Sequence, residues 1–200
     1  MLHPNTALGY IDDTIGHGVI ATRLIPAGTI TWVLDDLDME FTPEEIGKMP
    51  RQQKEYMETY CYRNNKGNHI LCWDYSRFVN HSFDSNCLST AYDFEIAVRD
   101  IQPGEQLTDD YGYLNVEFPF EPVDEGLRRK IVRPDDLLHF HREWDESLIG
   151  VFSRILEHPQ ALREYFSEEQ WQNIRDVAFG TREMESILRN HYFPKRISSF

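Results

Sequence analysis

Turn-forming residues interrupt the first part of the chain so often that any strand there must be short. Gly9, Gly16, Gly18 and Pro26–Ala27–Gly28 punctuate apolar runs such as Val19–Ile20–Ala21 and Ile30–Thr31–Trp32–Val33–Leu34. Glycine supplies backbone conformations with positive φ, and proline removes an N–H donor, so both mark chain reversals. Asn64–Asn65–Lys66–Gly67–Asn68 and Pro103–Gly104 add further turns. Ile70–Leu71–Cys72–Trp73 reads as a strand between them. Phe94–Glu95–Ile96–Ala97–Val98–Arg99 alternates apolar and polar residues, as a half-buried strand does.

Helical signals break this texture in two places. Thr42–Pro43–Glu44–Glu45 supplies an N-cap threonine, a proline at the first helical position and a glutamate that closes a capping box. Pro50 interrupts that helix, because the residue before proline avoids the α region; the restarted helix carries Tyr56, Met57 and Tyr60. From about Arg133 onward the chain turns helical. Ser167–Glu168–Glu169–Gln170 is a second capping box, followed by Trp171, Ile174, Val177 and Ala178 at helical spacing. There is no internal repeat or low-complexity segment.

Composition narrows the class. The 200 residues suit one domain with a small appended module, and 40% hydrophobic with 13% aromatic content suffices for a packed core. No apolar run approaches the roughly 20 residues a bilayer span needs. Met1 to Tyr10 lacks the basic-then-apolar order of a secretory signal, so an intracellular protein, cytoplasmic by default and with a nuclear location still open, is the expectation. Cys61, Cys72 and Cys87 are too few and too scattered for a disulfide framework. The formal charge of −14 argues against nucleic acid as a partner and suits a basic polypeptide. It serves equally to keep an acidic protein dispersed.

Three stretches, taken in order, carry a family pattern. The first is Ile15–Gly16–His17–Gly18–Val19 with Ile25–Pro26–Ala27–Gly28–Thr29–Ile30. The second is Arg77–Phe78–Val79–Asn80–His81–Ser82, continuing to Asn86–Cys87. The third is Ile101–Gln102–Pro103–Gly104–Glu105–Gln106–Leu107–Thr108, running into Asp110–Tyr111–Gly112–Tyr113. Each alone is common; together they resemble the SET-domain protein-lysine methyltransferases over roughly residues 8–122. The resemblance implies a mostly β (α+β) fold of the β-clip type. Small curved sheets would be closed by a pseudoknot, with a helical insert at about 43–62 and a SET domain over 1–121. Residues 122–200 would then be a post-SET-like segment and a helical tail.

It also implies S-adenosyl-L-methionine as cofactor and a lysine-bearing protein or peptide as substrate, the two entering from opposite faces. By resemblance Gly16, His17 and Gly18 border the methionine end of the cofactor, and Asn80 and His81 hold its amino-acid and adenine portions. Outside the family pattern, the glycine pair reads equally as a β-turn and the Asn-His pair as a capped turn or a core histidine. Tyr111 is the candidate catalytic residue. Methyl transfer needs a neutral amine within about 3–3.5 Å of the methyl group, whereas a lysine ammonium has a pKa of about 10.4. A tyrosine hydroxyl can orient the amine and favour the transition state electrostatically. Whether it also acts as base stays open at this point.

Two departures from the family stand out. Asp109 occupies a position where many members carry Tyr or Phe, two residues before the catalytic tyrosine. A carboxylate beside the channel raises the amine's pKa unless it points outward or pairs elsewhere. Second, Pro122–Val123–Asp124–Glu125–Gly126–Leu127–Arg128–Arg129–Lys130 lacks the cysteines that bind zinc in many relatives, leaving Cys87 as one thiol where four ligands are needed. The expectation is therefore no zinc. Phe118 and Phe120 remain to cover the cofactor, with the helical tail holding them in place. Tyr60, Tyr62, Asp109 and Tyr113 are candidates for the substrate channel. Competing readings are a SET-like binding or scaffold module with little turnover, and an acidic interaction protein working through its tail.

Overall fold

The computed structural model describes residues 1–194. Strands β1 (Thr6–Asp12) and β2 (Gly16–Ala21) form an antiparallel hairpin. The Asp12 carboxylate accepts from the amides of Thr14 and Ile15, each at 2.8 Å, and Gly16 takes φ = 80° to complete the reversal. Strand β3 (Ile30–Val33) is followed by the short β4 (Met39–Phe41) and by α1 (Pro43–Lys48) and α2 (Arg51–Tyr60). Both halves of the Thr42–Glu45 capping box form, and the break between the helices falls at Met49–Pro50, where both residues are extended. The helical insert thus ends at Tyr60, and Tyr62 lies in β5 (Cys61–Arg63). Strand β6 (His69–Leu71) lies between β4 and β5 in an antiparallel sheet of three.

The remaining strands are β7 (Asn80–His81), β8 (Cys87–Ser89), β9 (Phe94–Ala97) and β10 (Thr108–Asp109). Strand β9 is the centre of a β3-β9-β8 antiparallel sheet. Alternation along β9 is real, but neither face meets solvent: all four residues are buried, Glu95 included. Phe94 and Ile96 face one apolar core together with Ile30 and Leu88. Ala97 joins a second core with Trp32 and Cys87. The half-exposed strand expected from the sequence is therefore doubly covered, because periodicity distinguishes two faces without saying what lies on either.

The tail supplies one of those covers. Helices α3 (Asp136–Phe152) and α4 (Glu168–Ala178) place Leu137, Trp144, Leu148, Phe152 and Ile174 in the core containing Phe94, Ile96 and Tyr113. The Ser167–Gln170 capping box starts α4 as its sequence predicts. Body and tail share one core, so neither half buries its apolar surface alone.

Gly28 sits where the two meet. Its φ is 88°, and an added Cβ would lie 2.8 Å from the backbone carbonyl carbon of Arg154. A side chain there meets both backbone strain and rigid main chain. Gly28→Ala should lower the free energy of unfolding by about 2 kcal/mol, measured by urea denaturation; a loss within error would mean the tail docks elsewhere.

Candidate active site

The site is organised by β7 and β10, which pair in parallel with Thr108 opposite Asn80 and Asp109 opposite His81. The Ser82 amide donates to the Asp109 carbonyl at 2.9 Å, extending the pairing. On the other side of β10 stands Asn86, only 1% exposed. Its side-chain amide donates to the Gln106 carbonyl (2.8 Å), and its side-chain oxygen accepts from the Thr108 amide (2.9 Å). Residues 106–109 are thus held between the Asn-His strand and Asn86, the crossing the pseudoknot requires. Threading of this kind is rare, and it is what brings Tyr111 beside His81.

The glycine turn is fastened to the same place. Asn80 donates from its amide to the His17 carbonyl (3.0 Å) and to the Gln106 side chain (2.5 Å). An added Cβ on Gly18 would collide with the ends of the Gln106 and Asn80 side chains, so a larger residue there would displace both. The His17 side chain is exposed, and its backbone does the work. Gly16 faces open space, with nothing within 4 Å of an added Cβ.

His81 accepts from the Tyr111 amide through Nδ1 at 3.1 Å. Burial, reinforced by the Arg129 charge and opposed by Glu125, pushes the imidazole down to about 4. It is therefore neutral at pH 7, with its proton on Nε2. That Nε2 is buried and has no partner among the described residues. Around the ring stand Phe83, Tyr111 and Phe120, with centroids at 4.4, 5.4 and 6.0 Å.

On its other side Tyr111 borders a cavity of about 750 Å³. Tyr60, Tyr62, Tyr113, Phe118, Phe120 and Asp109 all line it. The Tyr111 hydroxyl donates to the Val79 carbonyl at 2.6 Å, and burial raises its pKa. Phe120 touches both Tyr111 and His81, whereas Phe118 is 74% exposed at the rim. Tyr113 is buried in the shared core with its ring against Trp144.

Asp109 neither points outward nor finds a cation. It is 5% exposed, and its carboxyl faces that of Glu95 within hydrogen-bonding reach. Burial, together with the Glu95 charge, raises Asp109 well above the ordinary carboxyl range. Burial likewise pushes Glu95 up to about 7. Nothing in the sequence singles out Glu95, because the alternation of β9 assigns it to the polar face.

Arg129 was missed as well, being one charge in a basic run. Its guanidinium is paired with Asp110, next to Tyr111, and with Asp136 at 2.6 Å, at the start of α3. It also stacks over Phe83 (4.5 Å) and Phe140 (4.3 Å). Both aspartates are almost fully buried. In the same segment Glu125 accepts from the Phe83 amide at 2.9 Å. This ionic clamp ties residues 122–136 to the body. Among the described residues no cluster of His, Cys, Asp or Glu could hold a metal ion, and Cys87 is buried in the second core. No helix of the described residues is long and apolar enough to cross a membrane.

Residues 16–112 match the family model of the SET domain. This segment is a SET domain. The match ends one residue after Tyr111, so Phe118, Phe120, Arg129 and the tail lie beyond it. Among solved structures, the Plasmodium falciparum putative histone methyltransferase PFL0690c is 19% identical. The alignment covers 55% of this chain and 95% of that one, with a TM-score of 0.40, too loose a likeness to bear on function. No curated protein matches the chain.

Two outcomes follow from the charges around the SET-domain site. Arg129→Met leaves two buried carboxylates unpaired and should cost about 3 kcal/mol, read from chemical denaturation; an unchanged midpoint would remove the clamp's role. The Glu95 and Asp109 carboxyls hold protons more tightly folded than unfolded. Their stabilisation is complete below the ordinary carboxyl range and is lost as pH rises through about 7, the folded value of Glu95. His81 has the opposite sign, its contribution being lost as pH falls from 6.5 toward about 4. Asp109→Asn should therefore flatten the alkaline decline in melting temperature and leave the acid side unchanged.

Proposed function

We propose that this chain is a protein-lysine methyltransferase using S-adenosyl-L-methionine. The observation that carries the reading is the position of Tyr111, held by His81 and Val79 between an aromatic cluster and the cavity. The residues present fit the cofactor. An unpartnered, buried imidazole N–H beside Phe83 and Phe120 suits a heteroaromatic ring with acceptor nitrogens, and Gly16 has open space around its Cα. When bound, the cofactor supplies a sulfonium-activated methyl group.

The chain's own residues would divide the remaining work. Asn80 and Gly18 set the shape of the glycine turn, and Gly16, His17 and Gly18 offer backbone groups along it. His81, Phe120 and Phe118 would hold and cover the adenine portion. The Tyr111 hydroxyl donates to Val79, which leaves its oxygen free to accept from the substrate nitrogen and orient it. With its pKa raised by burial, Tyr111 keeps its proton and is not the base. Tyr60, Tyr62 and Tyr113 give the cavity aromatic walls that suit a lysine side chain and its methylated products. The charge of −14 favours a basic polypeptide as substrate. No zinc enters the proposal, because Arg129 ties down the segment that zinc organises in many relatives.

The test is transfer of a radiolabelled methyl group to histones, basic peptides and whole lysate. Wild type should label lysine, and Tyr111→Phe should lower the rate about 100-fold while cofactor affinity stays within a few-fold. A wild-type protein that binds the cofactor and labels nothing would favour the scaffold reading, in which Asp109 marks lost turnover.

A further inference from the structure

Two carboxyl groups on the cavity wall have no part in the scheme above. Glu95 from β9 and Asp109 from β10 both line the cavity, and both are less than a tenth exposed. Their carboxyls face one another within hydrogen-bonding reach. The Ser89 hydroxyl donates to Glu95 at 3.0 Å, and the Tyr113 hydroxyl lies within reach of Asp109. Neither carboxyl has a Lys, Arg or His partner among the described residues, and one Asp109 oxygen has no partner at all.

Two ionised carboxylates are acceptors only, so they cannot bond to each other. Like charges this close in a poorly solvated site retain one proton between them. The pair therefore presents one negative charge and one vacant proton position toward the cavity. That charge suits a single cationic side chain.

We propose that the Glu95–Asp109 pair is the proton acceptor that converts the substrate's lysine ammonium into the reactive amine. The proposal rests on the lysine-methyltransferase reading. In the step, one N–H bond of the ammonium breaks and its electron pair stays on nitrogen. The proton bonds to the ionised oxygen of the pair, leaving a neutral amine and two neutral carboxyls. One positive and one negative charge disappear together, which a low-dielectric cavity favours. The pair resets by releasing its extra proton to water at the cavity mouth.

The thiols and phenols around the pair are poor acceptors. Burial raises the thiols of Cys72 and Cys87 and the hydroxyls of Tyr62, Tyr111 and Tyr113, so all five stay protonated. Asp110 is committed to Arg129, and its charge strengthens Asp109's hold on a proton. The N-terminal ammonium acts on Glu95 in the opposite direction, as the smallest contribution.

The experiment compares wild type with Asp109→Asn and Glu95→Gln, using full-length protein, the cofactor and a lysine peptide. At neutral pH each amide variant should lose about 100-fold in kcat/KM with cofactor affinity unchanged. The deficit should shrink about tenfold per pH unit as more substrate arrives as free amine. Ser89→Ala, which removes a bond favouring the ionised form, should move the acidic limb of the wild-type profile to higher pH and guards against misfolded amide variants. Infrared spectra without cofactor give an independent readout. At neutral pH wild type should show a buried protonated-carboxyl band that the double variant lacks. Amide variants with wild-type rates and the same pH profile, or the absence of that band, would overturn the acceptor role alone. A wild type that binds cofactor but methylates no lysine would overturn the lysine reading and the acceptor with it.

Discussion

Two strands of two residues each, Asn80–His81 and Thr108–Asp109, run parallel and decide where everything else in the site can stand. So short a pairing has little stability of its own. It persists because Asn86 grips the same segment from the other side through its buried amide. A buried side-chain amide that spends both its donor and its acceptor on backbone is costly to disrupt, since each orphaned group loses its hydration as well. The threaded crossing follows, and with it the contact between His81 and Tyr111 that sequence separation would not suggest.

The region after the SET segment is fastened by an ionic clamp. Where many relatives use thiolates around zinc, this chain has one arginine between two buried aspartates, stacked on aromatic rings. A guanidinium suits that place because its planar fork bonds two carboxylates at once and its face lies flat on a ring. The tail then supplies the apolar area, with Trp144 and Leu148 packed in the core of the body. The anchoring of residues 122–136 and the stability of the fold become one property, since both depend on the same helix.

The cavity itself joins two kinds of surface. Aromatic rings line it, and the buried Glu95 and Asp109 carboxyls stand among them. Tyr111 stands where that wall meets the His81 cluster. An aspartate in the place many relatives give to an aromatic residue is best understood together with Glu95, because neither carboxyl has a cationic partner among the described residues.

Much was legible in the residues themselves. Turn-forming glycines and prolines limited the strands, both capping boxes formed as written, and Pro50 broke the insert where proline must. Those features are local, so a few neighbouring residues determine them. The Asn-His and Asp-Tyr-Gly stretches pointed to the candidate site because their order along the chain is characteristic, although their meeting depends on a crossing no periodicity encodes. Burial of Glu95, the partner of Asp109 and the role of Arg129 were decided only by tertiary structure. Each depends on which surface covers a given face, and a strand or a basic run carries no local mark of what will pack against it.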